Sequence, residues 1–176
     1  MAIYKNDEDI KIAGDRPSED IRQEAEQLAL DREYAAQKES GNLDLAENLG
    51  GVFARMVCDF PADGRYASQD KVLYAFAAVS AMDAGMNRLC GISALGEFYN
   101  ILMDRDREFY DKLDKAFSFY YLSLRKGVEV ERRIGLNFAM LCEAENYREF
   151  SKQGEEMYRR FLAAFAQKIE ESELSE

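Results

Sequence analysis

The stretch SALGEFYNIL, residues 93–102, reads as helix, with Leu95 and Tyr99 one turn apart and a glycine, Gly96, between them. Glycine inside a helix costs roughly 1 kcal/mol against alanine. A chain keeps such a residue where packing repays the lost propensity. Here the missing side chain is expected to let the second helix of a helix pair approach closely.

The pattern has two cousins, Leu49-Gly50-Gly51-Val52-Phe53 and Ile134-Gly135-Leu136-Asn137-Phe138. In each, an aliphatic and an aromatic residue at i and i+4 share one face. A more aromatic or alanine-rich helix follows each time. The small side chains Ala75, Ala77, Ala78, Ser80 and Ala81 suit a closely approached partner.

Working outward, the chain reads as seven helices. Asp15 or Ser18 caps a first, with Pro17 in its first turn, running to about Ser40. Its apolar stripe of Ile21, Ala25, Leu28 and Ala35 is thin, so it is expected on the surface of the body or against another subunit. Further helices are expected over Leu43–Asp59, Ser68–Leu89, the residues after Gly91 to Met103, Arg105–Lys126, Val130–Glu143 and Tyr147–Ile169. In the fifth, Phe109, Leu113, Phe117, Tyr120 and Leu124 recur at helical spacing. Met157, Phe161, Phe165 and Ile169 form one face of the last, a second stripe available for self-association. No segment beyond the arm alternates with a period of two, so the class is all-α, built of antiparallel hairpins in a compact stack or an irregular bundle. Residues 1–14 read as an N-terminal arm, 15–170 as a single helical domain and 171–176 as a frayed acidic tail.

The aliphatic-Gly-x-x-aromatic helices resemble the first helices of tetratricopeptide repeats, whose pattern contains L-G-x-x-Y. The resemblance covers about residues 43–166. It implies a concave surface of first helices that binds peptides, lined by residues two before and two after each aliphatic position. In this chain those are Glu47 and Gly51, Ser93 and Glu97, and Arg132 and Leu136. Asn100 and Asn137 are placed to hydrogen-bond an extended backbone. The members that grip a C-terminal carboxylate use lysine, arginine and asparagine there, and only Arg132 conforms.

The chain contains no histidine, which removes Ser-His-Asp and Cys-His catalysis, His-based zinc proteases and Glu-x-x-His di-iron sites. No phosphate-binding glycine loop and no calcium loop occurs. Two-carboxylate acid–base catalysis stays open, but nothing marks a pair. Cys58, Cys90 and Cys142 have neither disulfide nor zinc spacing and are expected to be buried and inert. No catalytic residue, metal or cofactor is expected.

The formal charge of -11 over 176 residues disfavours nucleic acid and favours a basic partner. The longest apolar run, Tyr74 to Met82, is too short to span a bilayer. Charges stand in MAIYKNDEDIK where a secretion signal needs an apolar stretch, so a cytoplasmic location is expected.

Three features remain. Asp83, among the small residues of AFAAVSAMDAG, reads as a buried carboxylate needing a cation such as Arg88, or as a ligand-facing group. The run FSFYYLSL reads as core or as the wall of a pocket among Phe117, Tyr120, Tyr121 and Phe138. Arg125, Lys126, Arg132 and Arg133 flank the turn at Gly127. They either satisfy the helix end and pair with Glu129 and Glu131, or recognise an acidic peptide or phosphate. The leading expectation is a non-catalytic protein that binds another protein or peptide through Ser93, Glu97, Asn100, Arg132, Arg133, Leu136 and Asn137. The alternatives are a small-molecule-binding bundle and an acidic inhibitor or immunity-type protein.

Overall fold

The computed structural model describes residues 19–61, 63–172 and 174. These form seven helices: α1 (Glu19–Glu39), α2 (Asn42–Cys58), α3 (Ala67–Gly85), α4 (Arg88–Arg105), α5 (Arg107–Lys126), α6 (Val130–Leu141) and α7 (Tyr147–Glu171). Among the described residues there is no strand, and the fold is an all-α packed bundle. The chain divides into two compact units, residues 1–36 and 37–176. Within the first unit, Ala25, Leu28 and Ala35 are exposed along α1. The expected arm and the cap at Asp15 or Ser18 lie outside the described residues.

The second unit is organised around α3. Val72, Leu73 and every residue from Ala75 to Met82 are buried. A helix apolar on all sides belongs in the centre of a bundle, and α3 packs against α2, α4, α5, α6 and α7. Its alanines let those neighbours in, while Phe76 reaches the rings of Phe117, Tyr120 and Tyr158. Burying a phenylalanine ring of this kind contributes roughly 2–3 kcal/mol.

The helix α7 lies parallel to α3. Tyr66 meets Phe150, Tyr74 meets Phe161 and Phe165, and Ile169 sits beside Gly85. The stripe of α7 is therefore covered within the chain, contrary to the expectation that it was left for a partner. Leu174 is also buried, so the tail is not wholly frayed.

Close approach holds at two of the three glycines. A methyl carbon on Gly50 would lie 2.7 Å from the Ala94 carbonyl carbon, and one on Gly135 would lie 2.8 Å from the Glu155 amide nitrogen. Gly135 joins consecutive helices, α6 and α7, as an antiparallel hairpin. Gly50 instead joins α2 to α4, which run parallel across the intervening α3. Gly96 is a correction: among the described residues nothing lies within 4 Å of a methyl placed there, so no packing between them repays it.

Helix ends supply further corrections. The expected third helix runs on to Leu89, but α3 stops at Gly85, and the Asn87 side chain accepts from the Cys90 amide at 3.0 Å to start α4. Asp83 falls in that last turn, beyond the buried run, and is exposed rather than a buried ion-pair partner. Asp106 caps α5 by accepting from the Phe109 amide at 3.2 Å, and Gly127 closes the helix in the left-handed region at φ 64°.

Candidate functional site

Where α2 and α4 touch at Gly50 and Ala94, the residues flanking the seam line an open groove of about 340 Å³. Asp44, Glu47, Asn48, Gly51 and Arg55 of α2 face Glu97 of α4. The Ser93 hydroxyl donates to Glu47 Oε1 at 3.0 Å across the seam. Three carboxylates against one guanidinium make the groove acidic. Four residues singled out from the sequence, Glu47, Gly51, Ser93 and Glu97, thus come together. Asn100 is exposed on the outward face of α4, together with Ile92, Gly96 and Met103.

The α6 residues lie elsewhere and are engaged within the fold. The Asn137 side-chain amide donates to the Phe119 carbonyl at 2.7 Å and to Ser123 Oγ at 3.0 Å, clasping α6 to α5. Its side-chain nitrogen, expected to meet a ligand backbone, is engaged inside the fold. Leu136 offers its carbonyl to the Tyr147 hydroxyl at 3.0 Å. Arg133 donates through Nε to the Val128 carbonyl at 3.0 Å and Arg132 pairs with Glu129 at 3.0 Å, both tying down the α5–α6 turn. Glu131 pairs across the hairpin with Arg159 at 2.8 Å instead of with the basic cluster beside it. The groove expected from three first helices therefore involves only two of them. The third, α6, takes α7 as its main neighbour.

A larger cleft of about 490 Å³ opens between α4 and α5. Tyr99 of α4 faces Tyr110, Phe117 and Tyr121 of α5, with Asp111 and Asp114 exposed at its edge. The rings stand in perpendicular pairs: Tyr99 and Tyr110 have centroids 6.2 Å apart at 78°, and Phe117 and Tyr121 have centroids 6.1 Å apart at 82°. Burial drives the Tyr99 phenol far above the ordinary tyrosine range, and the neighbouring Tyr121 and Tyr110 hydroxyls add to this. Burial also raises Tyr121, with a further push from the Asp83 carboxylate. The cleft thus offers ring faces, neutral hydroxyls and carboxylates, which are groups suited to recognition.

No protein-family model, curated protein or solved structure matches the chain. Of the four aromatics expected in a pocket, Phe117 and Tyr121 line this cleft, while Tyr120 and Phe138 are core. Sequence reasoning did not place Tyr99 and Tyr110 in a site, and no local pattern in the sequence marks them as cleft residues. Among the described residues no cluster of three or more Cys, Asp or Glu is placed to hold a metal ion. Nor is any helix among them long and apolar enough to cross a membrane. Cys90 and Cys142 are buried and Cys58 is half-buried. Burial pushes the Cys142 thiol up to about 12, with Asp70 contributing, which disfavours the nucleophilic thiolate.

Proposed function

We propose that this chain is a non-catalytic, cytoplasmic interaction protein whose α2–α4 groove binds a basic segment of another protein. The observation that carries the reading is the convergence of Asp44, Glu47 and Glu97 around Arg55 in an open groove. A negative surface steers and orients a positively charged partner. The formal charge of -11 argues in the same direction and away from nucleic acid. Exposed Leu28 and Tyr34 on α1 favour self-association as well.

The test is affinity capture from the native cell with the wild-type chain and with a Glu47→Lys/Glu97→Lys variant, whose helicity is checked by circular dichroism. A partner with a lysine- or arginine-rich segment should be retained by the wild type, released by raised salt and lost by the variant. Retention of the same proteins by both chains would refute the groove as the binding surface.

A further inference from the structure

We propose that the cleft between α4 and α5 is a binding site for an organic ammonium group. It is separate from the α2–α4 groove. Glu97, which lines that groove, and Tyr99, which lines this cleft, are two residues apart and so point about 200° from each other around α4. The proposal therefore does not depend on the partner reading above.

Three observations converge on this ligand class. The walls include four aromatic rings, Tyr99 edge to face with Tyr110 and Phe117 edge to face with Tyr121, so the cleft is lined with π surface. The π faces of such rings attract ammonium ions, most strongly where water is excluded. Among the described residues, the only charged side chains lining the cleft are the carboxylates Asp111 and Asp114, and Asp83 adds a third near Tyr121. The volume of about 490 Å³ lies within the range of small-molecule sites and exceeds what a bare metal ion needs.

One cation of the chain already samples this chemistry. The Arg107 guanidinium carbon stands 5.9 Å from the centre of the Tyr110 ring, and Arg107 Nε pairs with Asp111 at 3.1 Å. Both partners of that pair are well exposed, so the interaction is weak and a bound ammonium competes with it readily. Among the described residues, Asp83 and Asp114 have no ion-pair partner, which leaves their charge available to a ligand. The Tyr99 and Tyr121 hydroxyls, held above the ordinary range by burial, stay neutral and can accept from an N–H or contact an N-methyl group.

Isothermal titration of the full chain at low ionic strength tests the site with a matched pair of probes, choline and its uncharged isostere 3,3-dimethylbutan-1-ol. Choline should bind with a Kd of order 1 mM, about tenfold tighter than the alcohol. Asp114→Asn, at an exposed position, should weaken choline about three- to tenfold without affecting the fold. Tyr121→Leu should abolish binding, and since Tyr121 also packs on Phe76, its helicity is measured alongside. Arg107→Gln should strengthen binding by removing the internal competitor. Glu156→Gln, exposed on α7, should leave it unchanged. A short peptide carrying one trimethyllysine identifies the source: tighter binding than choline places the ammonium on a protein, and equal binding places it on a free small molecule. Equal affinity for choline and the alcohol would overturn the proposal, as would no choline heat up to about 50 mM or an Asp114→Asn titration identical to that of Glu156→Gln.

Discussion

Replacing Gly50 and Gly96 separately by alanine should move stability in opposite directions, although both sit inside helices. The propensity gain is the same at each, about 1 kcal/mol. At Gly96 nothing opposes it, because a methyl there meets no atom within 4 Å. At Gly50 the methyl would lie 2.7 Å and 2.9 Å from the carbonyl carbon and Cα of Ala94, against the 3.4–4 Å of ordinary contact. Those are backbone atoms, so no rotamer change relieves them, and α2 and α4 must part by about 1 Å. A gap of that size forfeits up to half of each contact's dispersion energy along the seam. With overpacking costing about 3 kcal/mol at such a site, the net loss is about 2 kcal/mol. For a chain of this size Tm should fall by about 4–8 °C for Gly50→Ala and rise by about 2–4 °C for Gly96→Ala. Urea unfolding followed by circular dichroism, with a common slope, gives the free energies. Adding Ala94→Gly should not rescue Gly50→Ala, since the clash is with backbone. The reasoning is refuted if Gly50→Ala stabilises the chain or if the two variants shift together.

Two further expectations concern an ion pair and a surface. Lys71 donates to Asp106 Oδ2 at 2.7 Å, and this bond, with the Phe109 amide adding to it, holds the Asp106 carboxyl below the ordinary aspartate value of 3.8. A carboxylate lowered on folding stabilises the native state above its unfolded pKa, and loses that contribution as pH falls through the folded value. Asp106→Asn should therefore cost about 1 kcal/mol at neutral pH and progressively less as the pH falls through the folded-state value; a cost that does not change with pH would refute the charge argument. Self-association through α1 should appear as a mass that rises with concentration in sedimentation equilibrium. Leu28→Glu should leave only the monomer, and an unchanged mass distribution would remove α1 as the contact.

The helices were readable because their apolar residues recur with the helical period, as Phe109, Leu113, Phe117 and Tyr120 do along α5. Their pairing was not, because a glycine signals that a backbone comes close without saying whose. Gly50 takes α4 instead of α3, and Gly96, with the same local pattern, takes nothing. The continuous apolar run of α3 marked burial but not its end, and Asp83 was misread because the chain leaves the core one residue earlier, after Met82. In the clefts, Glu47, Gly51, Ser93 and Glu97 were reachable through the repeat pattern. Tyr99 and Tyr110 were not, since a cleft between two helices depends on the rotation of each about its axis, which tertiary contacts set.

The central position of α3 has a consequence for how the protein is made. Its principal wall, α7, begins at Tyr147, roughly sixty residues after α3 ends at Gly85. At about 5–20 residues per second, a ribosome delivers that wall some 3–12 s after releasing the most apolar helix of the chain. During that interval the nascent chain must shield Val72 to Met82 with α2, α4, α5 and α6 alone, or with a chaperone. Slowing translation between α3 and α7 should therefore lower the yield of folded protein more than an equal delay placed after α7.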